Sequence, residues 1–375
     1  GFMLIREANG MTDLIDYREK APLKASENIY LDVSGNVVED MSTETHLASG
    51  VPVTVDGMLN VHAKYGLLSF KEVIQPAIDL ARNGFQVTAD QAADFNNNRD
   101  RFIDRNISMP VFVKNQPWEE GDTLKQPDLA RSLERIRDYG REGFYSGTTG
   151  RLIIKEMQRW NGIITEHDLA GYNSLFRDPI SAYYRGYKIT SASPPSGGGI
   201  ILLQVLEMIE HYDLKQTGFH TWQSVHLIVE AEKRAFADRS KYLGDPDYVE
   251  VPVDKLLNSR YLHERMDDFK MNSSIPSLQI FPGLALKEES EETTHYSIVD
   301  SKGNAVAATT TLNNTFGSGI IIDSAGFLIN NQMDDFSVKP GIPNMYGLTG
   351  SEANSIIPGK RMLSSMTPVI VEKDD

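Results

Sequence analysis

The chain has 375 residues, of which 40% are hydrophobic and 24% charged, with 29 Gly and 17 Pro; this is the composition of a globular protein with a substantial core, not of a disordered, collagen-like or coiled-coil chain. Its 37 basic and 52 acidic residues give a formal charge of −15, so it offers no general positive field, and neither nucleic acid nor a membrane is expected as a partner. It has no cysteine, which excludes disulfides, thiolate metal sites and cysteine nucleophiles.

Phe2-Met-Leu-Ile-Arg6, the turn residues Ala8-Asn-Gly10 and Thr12–Tyr17 predict a hairpin. A start inside a hairpin, and an end on the strand-like Thr367–Asp375, lead us to expect a chain trimmed on both sides. From about residue 57 to 270 the apolar period is helical. Lys71–Asn83 stops at Gly84, and Asp128–Tyr139 at Gly140. Thr165-Glu-His-Asp168 has the form of a capping box with Asp in the place of Glu. Thr221–Tyr242 is the longest predicted helix, with Val225, Ile228, Val229, Ala235 and Phe236 on one stripe; Glu232 and Arg239 share it and read as a paired charge at the core's edge. Pro194-Pro-Ser-Gly-Gly-Gly199, ahead of a helical run at Ile200–Tyr212, reads as a tight turn with a close backbone contact, anion binding at a helix start being the alternative.

Residues 268–292 are acidic and polar, the best candidate for a long exposed connection. From Thr293 the period becomes two. Thr293–Val299 and Ala305–Leu312 flank Asp300–Asn304, and Gly319–Ile322 and Phe327–Ile329 flank Asp323–Gly326, giving two predicted hairpins; Met362–Val371 is a further strand. A helical middle bracketed by strands predicts a layered α+β protein. No apolar run approaches the roughly 18–20 residues of a membrane span. Nucleotide loops of the GxxxxGK[ST] and GxGxxG types, HExxH and GxSxG are absent, and the eight histidines form no ligand cluster, so no cofactor and no metal are expected.

The stretch that opens the strand-rich part carries the functional signal. Thr293-Thr-His-Tyr-Ser297 follows the acidic Glu288-Glu-Ser-Glu-Glu292 at once. Two threonines can simply begin a strand. A cut before Thr293 would instead give a nucleophile with its own base, because a free α-amine, with a pKa of roughly 7.7–8.0, would lie beside the hydroxyl.

The residues that follow favour the second reading. Thr293–Asp300, Thr311-Leu-Asn313, Asn330-Asn-Gln-Met-Asp-Asp-Phe336, Lys339-Pro-Gly341, Tyr346-Gly347 and Leu363-Ser-Ser-Met366 stand in one order that resembles the γ-glutamyltranspeptidase (glutathione hydrolase) family. Asp16–Pro22, Pro194–Gly198, Ala231-Glu-Lys233, Ala237-Asp-Arg239 and Leu243-Gly-Asp-Pro246 look like the same family, so the resemblance spans essentially the whole chain.

The resemblance implies an N-terminal-nucleophile hydrolase with a four-layer αββα sandwich, made as one precursor that cuts itself between Glu292 and Thr293. Residues 1–292 would then be the large-subunit portion and 293–375 the first part of the small subunit, intertwined in one structural domain. By the same resemblance Thr293 is the nucleophile, and Thr311 and Asn313 hold it and the bound amino-acid end of the donor. Arg18, Ser364 and Ser365 match positions that grip the donor's α-carboxylate, Asp335 and Gln332 those for its α-amine, and Tyr346 belongs to a lid over the pocket. A guanidinium with two hydroxyls suits a carboxylate, and a carboxylate suits an ammonium. The implied substrates are γ-glutamyl donors such as glutathione with water, amino acids or peptides as acceptors, in the periplasm or outside the cell. Two departures stand out: the chain ends at Asp375, before the family's Gly-Gly pair for the oxyanion hole, and Val53 occupies a usual glycine position, where a local packing change is expected. The rival readings are a glutaryl-amide acylase of the same fold, against which Asp335 argues, and a truncated, non-catalytic fragment.

Overall fold

The expected opening hairpin forms as β1 (Phe2–Arg6) and β2 (Thr12–Asp16), with Phe2 opposite Asp16 and Arg6 opposite Thr12. The computed structural model describes residues 1–280 and 293–373. Within them run β3 (Phe85–Gln86) and β4 (Thr123–Leu124), a two-residue ribbon, then β5 (Leu175–Arg177), β6 (Ile180–Tyr184), β7 (Tyr187–Ser191), β8 (Thr294–Val299), β9 (Ala305–Thr310) and β10 (Val369–Lys373). One antiparallel sheet has the order β5-β2-β1-β9-β8, and a second the order β10-β7-β6.

Leu14 and Ile15 are adjacent in β2, point to opposite faces, and are both fully buried. A sheet with both faces buried must lie between two layers. On one side Phe2, Leu4, Leu14 and Ala307 meet Ala192, Met366 and Ile370, which joins the two sheets. On the other side Ile15 and Tyr17 join Ile136, Phe144, Ile153 and Met157 from the helical layer that contains Pro127–Tyr139 and Gly147–Arg159. Behind the second sheet, helices Gly198–Ile209 and Trp222–Tyr242 pack through Met208, Ile209, Leu227, Ala231 and Ala235. The order is helices, sheet, sheet, helices, the expected four-layer αββα sandwich.

Several local expectations hold. Gly84 and Gly140 end their helices at φ +88° and +56°, and the Thr165 side chain and Asp168 exchange both capping bonds. Others need correction. The middle of the chain is not continuously helical, because β5–β7 lie at 175–191; Arg185 and Gly186 both take positive φ, 51° and 82°, and close the β6–β7 hairpin without the usual Asn-Gly. In Trp222–Tyr242 the buried line runs through Leu227, Ala231 and Ala235, whereas Val225 and Val229 are exposed. The second hairpin is a single bridge, Ile321 to Leu328. Met362–Pro368 is irregular, so the last strand begins only at Val369. Val53 is buried among the helix-layer residues at φ −138°, a conformation that requires no glycine.

Candidate active site

The β8–β9 register places Thr294 opposite Thr310 and His295 opposite Thr309. Side chains alternate along a strand, so Thr293 and His295 share one face with Thr309 and Thr311. His295 Nδ1 lies 2.8 Å from Thr309 Oγ1. That face lines a cavity of about 430 Å³ at the mouth between the sheets. Thr293, Thr311, Asn313, Arg18, Asp335, Tyr346, Ser364 and Ser365 all line it. Glu292 lies outside the described residues.

Thr311 Oγ1 accepts from the Asn313 amide at 3.0 Å. Asn313 sits at φ +84°, a left-handed conformation that Asn tolerates better than most residues. Its carbonyl accepts from Tyr346 Oη at 2.5 Å, which ties the 339–350 segment down over the cavity. The adjacent aspartates divide their work. Asp334 is buried, accepts from Ser42 Oγ at 2.6 Å and from the Met345 amide at 2.9 Å, and so anchors that same segment. Asp335 faces the cavity and pairs with Arg18.

Arg18 follows β2 and is wholly buried. Its Nε donates to the Met362 carbonyl at 3.2 Å and its Nη2 to that of Leu363 at 3.0 Å. Nη2 also donates to Asp335 and Nη1 to Gln332 Oε1, with Glu19 at 3.4 Å. Gln332 is fully buried, gives its amide to the Thr311 carbonyl at 3.2 Å, and meets the cavity only through these neighbours. Burial pushes the Asp335 carboxyl up to about 6, although the Arg18 guanidinium pulls the other way.

The serine pair is braced from behind. Gly197 N donates to the Ser364 carbonyl at 2.7 Å, Ser364 N to that of Pro195 at 2.9 Å, and Ser196 Oγ to that of Met366 at 2.8 Å. A Cβ on Gly198 would fall 1.8 Å from Thr367 Oγ1, and one on Gly199 2.1 Å from the Ala192 carbonyl. The glycines therefore serve the close backbone contact, and the Gly197 amide is already occupied. Sequence reasoning missed His295, Thr309, Met366 and Thr367 in the lining, and behind it Arg239, which it read as part of an edge pair and which donates from Nη2 to Ser365 Oγ at 3.3 Å. A larger hollow of about 650 Å³ touches Thr293 and Thr311 on the helix side, but its walls are mostly aliphatic and aromatic and Glu19 is its one ionisable lining residue among those described.

The family model for gamma-glutamyltranspeptidase matches residues 1–375. The chain belongs to the γ-glutamyltranspeptidase family. It is 49% identical over 376 residues to the glutathione hydrolase proenzyme of Escherichia coli strain K12, a match that takes in the whole of this chain and 65% of that protein. The γ-glutamyltranspeptidase crystal structure from Helicobacter pylori superposes with a TM-score of 0.73 at 44% identity, over 75% of this chain and 81% of that one. A cephalosporin acylase structure from Bacillus halodurans gives 0.80 at 23% identity, over 100% of this chain and 66% of that one, and shares the fold. This γ-glutamyltranspeptidase-family chain thus spans 65% of the length of the E. coli relative.

Proposed function

We propose that the protein cleaves the γ-glutamyl amide of glutathione and related compounds through a γ-glutamyl ester on Thr293, after cutting its own chain between Glu292 and Thr293. The observation that carries this reading is the convergence on one cavity of a threonine at a strand start with a cation, an anion and two serine hydroxyls. An α-amino acid end carries both charges of a zwitterion. Its carboxylate can take the place of Asp335 on Arg18, and its ammonium the place of Arg18 on Asp335, so one ion pair exchanges for two without leaving a buried charge alone. Residues 1–292 would become the large-subunit portion and 293–375 part of the small one.

In the uncut chain the Thr293 nitrogen is an amide and cannot act as a base at neutral pH. The cut frees an α-amine beside the hydroxyl. The amine takes the hydroxyl proton as oxygen attacks the γ-carbonyl, then returns it to the leaving amine. Water or an acceptor amine releases the γ-glutamyl group from the ester. Export fits the resemblance; no helix among the described residues is long and apolar enough to cross a membrane. A glutaryl donor would compete with Asp335 for Arg18 and bring no ammonium in exchange, which argues against the glutaryl-acylase reading. Mass spectrometry of the purified protein tests the proposal: two fragments meeting at Glu292–Thr293 are expected, with Thr293→Ala remaining one chain. A normally cut Thr293→Ala protein would overturn it.

A further inference from the structure

Arg239 lies in the last turn of the Trp222–Tyr242 helix, is almost fully buried, and belongs to the layer behind the second sheet. It does not line the cavity. Its contact with the site is the hydrogen bond from Nη2 to Ser365 Oγ, 3.3 Å long. A serine hydroxyl has one proton and two lone pairs, whereas a guanidinium only donates. An oxygen that accepts from Arg239 must therefore send its own proton elsewhere. Ser365 is half-buried and its open side is the cavity.

The charge balance of the site points the same way. Arg18 already faces Asp335 and Glu19. A ligand carboxylate that met these groups alone would enter a region with one cation and two carboxylates. Arg239 supplies a second cation behind the serines, and its field also favours the ionised form of Asp335.

We propose that Arg239 is a positioning residue that turns the Ser365 hydroxyl into a fixed donor for the α-carboxylate of the donor substrate. This rests on the γ-glutamyl reading above. Through Ser365, Arg239 bears on the carboxylate end, so at pH 8, well above the value of about 6 for Asp335, it separates two amides that differ only there: a γ-glutamyl anilide and a 4-aminobutanoyl anilide, which keeps the amine but lacks the carboxylate.

Arg239→Gln should raise KM for the γ-glutamyl anilide about tenfold, the lower end for a hydrogen bond to a charged group, with kcat little changed. Slow turnover of the 4-aminobutanoyl anilide should stay within about twofold. Because Arg239 works through Ser365, adding Ser365→Ala to Arg239→Gln should cost less than the sum of the two single losses. Equal losses on both anilides, or full additivity with Ser365→Ala, would overturn the proposal. If Arg239→Gln does not fold, Arg239→Lys takes its place: a lowered preference for the γ-glutamyl anilide supports the proposal and an unchanged one overturns it. A parent enzyme with no preference between the anilides would instead overturn the γ-glutamyl reading.

Discussion

Replacing Asp335 by Asn tests how the site reads its substrate. The change is nearly isosteric, and the Asp335 backbone keeps its bond from Asn354 Nδ2 at 2.7 Å. Two effects then act in opposite directions. The ammonium of a γ-glutamyl donor loses a charged acceptor, and a hydrogen bond to a charged group contributes about 1.5–3 kcal/mol, so kcat/KM should fall by roughly ten- to 150-fold. Arg18 also loses the competitor that an incoming carboxylate must displace, while Glu19 at 3.4 Å and the Met362 and Leu363 carbonyls still hold it. A glutaryl anilide, with a carboxylate and no ammonium, should therefore turn over as before or faster. The assay is kcat/KM for γ-glutamyl and glutaryl anilides in parent and variant. If Asp335 served only as counterion to a fully buried guanidinium, its removal would cost about 3–5 kcal/mol of stability and damage both reactions. Equal losses on the two substrates would refute the exchange of ion pairs.

The pH profile should carry the mark of the same carboxyl. Burial raises the Asp335 carboxyl to about 6, and its protonated form cannot hold an ammonium. The slope of log(kcat/KM) against pH should therefore steepen from one to two below about pH 6, where Asp335 adds to the Thr293 amine, and Asp335→Asn should keep a slope of one throughout; a variant that still steepened would assign the limb to another group. Gly198→Ala puts a methyl 1.8 Å from Thr367 Oγ1 and must push the serine segment; a stability loss of about 1–3 kcal/mol with a raised KM is expected. Calorimetry and kinetics check this, and an unchanged KM would mean that the glycine cradle does not set the serines.

Much of the site was legible because its residues sit in short, ordered motifs whose chemistry matches a zwitterion. The strand that follows Thr293, the opening hairpin and the helix stops were legible through period, capping side chains and glycine. The β6–β7 hairpin was not, because Arg185 and Gly186 supply the positive-φ turn and its strands mix Tyr and Lys with the apolar residues. The true face of Trp222–Tyr242 was hidden because alanines mark it, while two valines lie outside. Arg239 looked like an edge charge, and only the docking of its helix behind Ser365 gives it a task. Asp334 and Asp335 cannot be told apart from their dipeptide; the turn that buries one and faces the other to the cavity does so.

The two sheets do not contribute the same parts to the cavity. Thr293 opens a strand of the first sheet, whereas Ser364 and Ser365 lead into β10 of the second, and between them lie Phe2, Leu4, Met366 and Ile370. On the proposed reading, one slab of the sandwich carries the attacking oxygen and the other part of the grip on the substrate. The gap between slabs then fixes how near the γ-carbonyl comes to Thr293, and a misplacement of about 1 Å can cost about a hundredfold in rate. The hydrophobic spacers thus act as the gauge of the reaction: a methylene added or removed at Leu4 or Ile370, neither of which lines the cavity, would reset turnover without substituting any polar group of the site.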